Sequence, residues 1–270
     1  TTVITGDGIS IDSQKIDYKT SVDNQVYNGI NLSKLCNKDF DKSDNNFISY
    51  YRNICKQISL NKPNKAHHII EEWKNKKIID LVITQNIDGY HGIKNVIELH
   101  GNINNFYCTN CKKKFNSKYY QKSHKCNNGH DNFEKEYTKC NGTLRPNIVL
   151  SGEIPKYLEL ALFNMYKSDI VLIIGTEMSI SPINKLPVMA REKGAKLVAI
   201  NKEPIELEIS NLSQLREILQ KDENVKPIKT LKHGRKAKSL VKYGLEEISN
   251  VLFRPIYVPK FDVFKFLSCT

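Results

Sequence analysis

The stretch LVITQNIDGYHG, Leu81 to Gly92, begins as an apolar run and becomes Thr-Gln-Asn-Ile-Asp with no turn residue between. A short continuous apolar run reads as a strand buried on both faces, the habit of parallel sheets. Amides and a carboxylate at its end need partners or a ligand, because burying them alone costs free energy. The same pattern recurs along the chain. TTVIT runs into Gly6-Asp7-Gly8, NVIEL into His100-Gly101, IVLII into Gly175-Thr176, and KLVAI into Asn201-Lys202-Glu203. LRPNIVL reads as a further strand. Helical spacing of apolar residues separates these runs in NFISYYRNICKQISL, in AHHIIEEWKNKKI after Pro63, in YLELALFNMYKSD and in LPVMAREKGA. Alternating strands and helices predict an α/β fold with a Rossmann-like parallel sheet. In such sheets ligands bind outside the carboxyl ends of the strands, so all five polar ends are expected to face one crevice. Taken singly, Asn86 or Asp88 is as well read as a turn cap, and His100 as a satisfied core histidine. Gly6 and Gly8 after the first strand are expected to take a strained turn and bring N–H groups to a phosphate.

The 270 residues suffice for one large domain or a domain with an insert. Hydrophobic residues make up 40%, enough for a core, while a mean hydropathy of −0.46 marks a very polar surface. No run of 18 apolar residues exists, so no membrane contact is expected. The chain opens at Thr1 inside a strand-like run without a leader-like segment, which predicts an intracellular protein, nuclear or cytoplasmic, with a trimmed natural start. The net charge of +12 favours anionic partners such as nucleic acid, and chromatin association is one expectation. A general bias toward Lys, Asn and Ile is the plainer source of that charge.

Seven cysteines without secretory context argue against a disulfide framework. Four of them read Cys108-x2-Cys111-x14-Cys126-x13-Cys140, and a Cys-x2-Cys knuckle supplies two of the four donors that a tetrahedral zinc site needs. With the looser second pair the site is closed and structural. His130 is an alternative fourth ligand, and ordinary buried thiols are the remaining reading. Cys36, Cys55 and Cys269 are isolated and are expected to pack.

TGDGIS, KPNKAHH, ITQNIDGYH, VIELHG, the cysteine module, LRPNIVLSGE, IIGT, GAKLVAIN and NKE follow one another in the order found in sirtuins, the NAD-dependent protein deacylases, which the chain resembles over roughly residues 1–204. The resemblance implies a Rossmann-like domain of residues 1–18, 76–105 and 146–206, a helical insert 19–75 and a zinc module 106–145. Residues 207–270 form a basic region outside it. An acyl-lysine protein or peptide, histone tails included, would be the substrate and NAD the co-substrate.

Carried over by residue, the resemblance makes His100 the general base toward a ribose hydroxyl. Gln85 and Asn86 would orient the nicotinamide ribose, and Ile87 with Asp88 the carboxamide. Gly6, Asp7, Gly8, Ile9, Gly175, Thr176 and Glu177 would lie along the phosphates, with Asp17, Tyr18 and Lys19 in the loop beyond. Asn201, Lys202 and Glu203 would lie on the adenosine side. Gly152 and Glu153 would pair with the substrate backbone by strand addition. The chain also departs from the family. Asp7 replaces the middle Ala of Gly-Ala-Gly, Glu177 a Ser, and Ser151 an aromatic residue near the acyl channel. Asp17-Tyr18-Lys19 replaces Asp-Phe-Arg, and the preceding loop has Gln14 and Ile16 for Gly and Pro. Two alternatives to an active deacylase follow. One is a weak or inactive scaffold module, motivated by Asp7, Lys19 and Glu177. The other is a nucleic-acid-associated protein, motivated by the basic stretch 226–243.

Overall fold

The computed structural model describes residues 1–13, 25–131, 137–202, 205 and 207. β1 (Thr2–Thr5) runs into a 3₁₀ helix, Asp7–Ser13; β2 (Val26–Tyr27) and β3 (Ile30–Asn31) then form a small antiparallel ladder. The helices α1 (Leu32–Leu35), α2 (Asn45–Leu60) and α3 (Lys65–Asn75) follow, then β4 (Leu81–Thr84) and β5 (Val96–Glu98). Next come β6 (Gly101–Cys108), β7 (Lys114–Asn116), α4 (Ser117–Lys122), β8 (Gly129–Asp131), β9 (Tyr137–Lys139) and β10 (Leu144–Ile148). The described elements end with α5 (Leu158–Tyr166), β11 (Ile170–Ile174), α6 (Leu186–Glu192) and β12 (Lys196–Ile200).

β12, β11, β1, β4 and β5 lie side by side in that order, and every neighbouring pair is parallel. These are the five strands whose polar ends the sequence singles out. Alternation along them feeds two cores. Val3, Val82, Leu172 and Ile174 pack with Ile69, Ile70 and Trp73 of α3. Ile4, Ile83, Val171 and Ile173 pack on the other face, with Leu158, Leu162 and Met165 of α5 and Leu186, Val188 and Met189 of α6. Helices on both faces explain why the strands are apolar throughout.

A third core joins α2 to β6, β10 and α4. Phe47, Ile48, Tyr51 and Cys55 recur at helical spacing and meet Phe106, Tyr120 and Leu144. The LRPNIVL strand forms, but it joins a three-stranded antiparallel sheet with β6 and β7 and not the parallel one. β6 has no sequence signal, because Asn102, Asn104 and Asn105 interrupt its alternation. Gly101 opens it at φ +79, and a Cβ there would lie 2.1 Å from the Asn147 carbonyl oxygen. Only glycine allows that crossing. Among the described residues no helix is long and apolar enough to cross a membrane.

Candidate functional site

Parallel strands bring Gly6, Gln85, His100, Gly175 and Asn201 to one edge of the sheet. The turns after β1 and β11 press together there. Gly6 N–H donates to the Ile174 carbonyl at 3.1 Å, and Gly8 N–H to the Gly175 carbonyl at 2.8 Å. A Cβ on Gly8 would lie 2.6 Å from the Gly175 Cα, and one on Gly6 2.5 Å from the Thr176 Cβ. The expectation of strained glycines is therefore corrected. Gly6 and Gly8 are not among the positive-φ glycines, and close approach of two backbones is what demands them. Their N–H groups close this junction instead of lying open. Asp7 is exposed and accepts from the Gly8 N–H at 3.0 Å, and Glu177 is exposed on the facing turn. Ile9 is a core side chain, and its carbonyl accepts from Asn64 Nδ2 at 2.7 Å.

Behind the end of β4 lies a buried polar network. Asp88 Oδ2 accepts from Ser10 Oγ at 2.7 Å, and Asp88 Oδ1 accepts from the Tyr90 N–H at 3.0 Å. Asn86 Nδ2 donates to Ser10 Oγ at 3.1 Å, and His67 Nε2 lies 3.3 Å from the same oxygen. The carboxylate can only accept, so Ser10 gives it the hydroxyl proton. His67 Nδ1 faces Asn64, 3.3 Å from its N–H and 2.9 Å from its Oδ1, within the capping box of α3. A parallel chain runs beside it, with His91 Nε2 2.9 Å from Thr5 Oγ1, which donates to Thr84 Oγ1 at 2.8 Å. Burial holds His67 and His91 neutral by lowering both pKa values to about 4. Ser10, Thr5, Thr84, Asn64, His67 and His91 went unassigned in the sequence. All six sit inside the motifs quoted above, so motif membership was the available signal.

His100 follows β5, and its Nδ1 lies 2.7 Å from the Gln85 carbonyl oxygen. A carbonyl only accepts, so the proton sits on Nδ1 and the Nε2 lone pair is left for another group. Burial lowers the His100 pKa, with the Gln85 carbonyl opposing. Gln85 reaches across the edge and donates to Thr176 Oγ1 at 3.0 Å. Thr176 also accepts the Met178 N–H at 3.1 Å. Ile87 is half-buried against the third core, and its carbonyl accepts from Ile103 N–H at 2.9 Å. Asn201 is half-buried and Lys202 exposed after β12. Asp17, Tyr18, Lys19, Glu203 and the stretch 226–243 lie outside the described residues.

Ser151, Gly152 and Glu153 follow β10. Arg145 grips Glu153 with two bonds of 2.7 and 3.1 Å, and the Leu150 N–H adds a third at 2.8 Å. Burial alone would raise the Glu153 pKa, but these donors bring it below the ordinary value.

The cysteines converge. The Sγ atoms of Cys108, Cys111, Cys126 and Cys140 all lie within 4.8 Å of one another, with the Cys108–Cys140 and Cys111–Cys126 pairs at 3.6 Å. A tetrahedron of sulfurs about 2.3 Å from zinc has edges of about 3.8 Å, so the donor set fits that ion. Asn128 N–H and Asn110 Nδ2 point at Cys126 and Cys140 at 3.4 and 3.6 Å, as donors to thiolates do. The side chain of His130, the alternative ligand, lies outside the described residues.

Comparison with known proteins gives a consistent picture. Residues 6–182 match the sequence model of the Sir2 family. The chain is 34% identical over 213 residues to an NAD-dependent protein deacetylase of Oceanobacillus iheyensis, covering 76% of this chain and 84% of that protein. A solved Sir2 bound to acetylated peptide superposes with a TM-score of 0.62 at 29% identity, over 77% of this chain and 83% of that one. A Sir2 homologue in complex with NAD gives 0.63 at 26% identity, over 76% and 79%.

Proposed function

The chain belongs to the Sir2 family, and from that premise we propose that it is an NAD-dependent protein-lysine deacylase that moves the acyl group onto ADP-ribose and releases nicotinamide. The observation that carries this reading is His100, fixed by the Gln85 carbonyl with Nε2 free to accept, on the same sheet edge as buried Asn86 and Asp88. NAD supplies an electrophilic ribose carbon with nicotinamide as its leaving group. His100 Nε2 takes a proton from a ribose hydroxyl, a task that suits a neutral imidazole near working pH. Asn86 and Gln85 orient the ribose on the nicotinamide side. Asp88 and Ile87 hold the carboxamide, Asp88 being aimed by Ser10 and the Tyr90 N–H. Gly6, Asp7, Gly8, Ile9, Gly175, Thr176 and Glu177 line the phosphate side, joined by Asp17, Tyr18 and Lys19. Asn201, Lys202 and Glu203 line the adenosine side.

Gly152 and Glu153 receive the peptide backbone, Glu153 through the shape that Arg145 imposes. Zinc, held by Cys108, Cys111, Cys126 and Cys140, is structural because four protein ligands fill its coordination. The domain assignment is 1–18, 76–105 and 146–206 for NAD, 19–75 and 106–145 for the two inserts, and 207–270 for the basic region. Association with chromatin, with a nuclear or cytoplasmic location, is a finer part of the proposal motivated by the net charge of +12, which favours anionic partners, while histone tails as substrate rest on the family resemblance alone.

A second reading is a weakly catalytic or scaffold module. It is favoured by two exposed carboxylates, Asp7 and Glu177, at a phosphate end whose glycine N–H groups are already engaged. Titration calorimetry with NAD and turnover of a panel of acyl-lysine peptides separate the two. NAD binding with turnover supports the deacylase, and NAD binding without turnover of any peptide would sink it.

A further inference from the structure

Lys42 stands outside every motif that the family reading uses. Its Nζ donates to the carbonyls of Lys38 at 2.6 Å and Asn37 at 3.3 Å, and also to that of Phe40. Three carbonyls around one partly buried ammonium form charge-assisted bonds that close the 36–40 turn over itself. The cation also lies 5.4 Å from the ring of Phe47, which is fully buried and stacks on Phe40 at 6.2 Å. Burial and then Arg145 lower the Lys42 pKa, while Glu153, Asp39 and Asp41 oppose them.

The turn that Lys42 closes grips Ser151. Asn37 and Ser151 form a parallel bridge, in which Ser151 N–H donates to the Cys36 carbonyl and Lys38 N–H to the Ser151 carbonyl, both at 2.9 Å. Gly152 follows at φ +88 in a turn that the Glu153 N–H closes on the Leu150 carbonyl at 2.9 Å. It is exposed, and its backbone makes no hydrogen bond among the described residues. The Lys38 stem lies 3.2–3.4 Å from where a Gly152 Cβ would be, so turn and edge are packed as one unit.

We infer that Lys42 is a positioning residue for the acyl-lysine peptide, holding the 36–40 turn that fixes Ser151 and so fixes the Gly152 edge on which the substrate backbone lies. This rests on the deacylase reading and on Gly152 as its peptide contact. Lys42 touches neither NAD nor the reacting atoms, so its loss alters peptide capture and spares chemistry.

The test is steady-state kinetics at saturating NAD for wild type, Lys42→Met and Lys42→Arg, with NAD affinity and thermal unfolding measured alongside. Lys42→Met is expected to raise the peptide KM about tenfold, equivalent to about 1.4 kcal/mol, with kcat and NAD affinity within about twofold. Lys42→Arg, which keeps donors and charge, restores most of the loss. Should Lys42→Met fail to fold, Lys38→Pro gives the same KM signature by deleting the N–H to Ser151, while Lys38→Ala, which keeps that N–H and loses only the stem beside Gly152, has the smaller effect. An unchanged KM in Lys42→Met, or equal effects of Lys38→Pro and Lys38→Ala, overturns the inference alone. No turnover by wild type overturns the deacylase reading and this inference with it.

Discussion

At one end of the sheet's polar edge, Ser10, Asn86, Asp88 and His67 are side chains held by other side chains. At the other, Gly6, Gly8 and Gly175 are backbone held against backbone. The difference bears on what each region tolerates. In the first region each polar group is the partner of another, so one replacement orphans its neighbours and costs about 1–3 kcal/mol. In the second, the contact excludes a Cβ at the glycines but leaves Asp7 and Glu177 pointing to solvent. Carboxylates fit there because they clash with nothing. On the proposed reading they change the charge beside the phosphates, which bears on NAD affinity and not on the fold.

The largest effect should come from the side-chain end. His100→Ala is expected to retain NAD while acyl-peptide turnover falls by about 10²–10⁴, the range for a positioned acid–base group. Turnover near wild type would remove His100 from the mechanism. Next is the backbone junction. Gly8→Ala places a Cβ 2.6 Å from the Gly175 Cα and should cost about 1–3 kcal/mol or more by overpacking, read as a lowered Tm. Ser10→Ala should cost about the same by leaving Asp88 and Asn86 short of a partner, but it also weakens NAD. If Gly8→Ala is stable, the two turns do not touch as described.

The pH response divides the regions too. His100 has a lowered pKa and must be neutral to act, so activity falls on the acid side below the ordinary histidine value of about 6.5 and is flat just above it. Stability follows the network behind it. His67 and His91, at about 4 when folded, bind fewer protons than the unfolded chain between about pH 4 and 6.5. Their contribution is complete above that window and is lost as pH falls through it. Urea midpoints that do not move across the window would contradict the buried neutral pair. The smallest effect is at Asp7, where Asp7→Ala should tighten NAD by up to about tenfold if the carboxylate faces the phosphates unpaired. Weaker binding in calorimetry would make Asp7 a working part of the site.

The sheet was legible because each of its five strands is an apolar run with a polar or glycine-rich end, a pattern that needs no long-range knowledge. The zinc site was legible for a similar reason, since Cys108 and Cys111 announce the pair locally. What stayed hidden depends on contacts between distant segments. Ser10 meets Asp88 and His67 across 78 and 57 positions, and nothing in GDGIS says which serine turns inward. β6 stayed hidden because three asparagines broke its alternation. Gly6 and Gly8 were noticed for the wrong property, because φ freedom and close approach leave the same letter in a sequence.

Coupling between peptide and dinucleotide turnover is the central claim. Wild-type protein should be incubated with NAD and an acyl-lysine peptide, and nicotinamide, deacylated peptide and acyl-ADP-ribose counted by mass spectrometry in the same sample. Equal molar amounts of all three are expected, with none formed by His100→Ala above its residual rate. Deacylated peptide without matching nicotinamide, or nicotinamide release with every acyl-lysine left intact, would contradict the account.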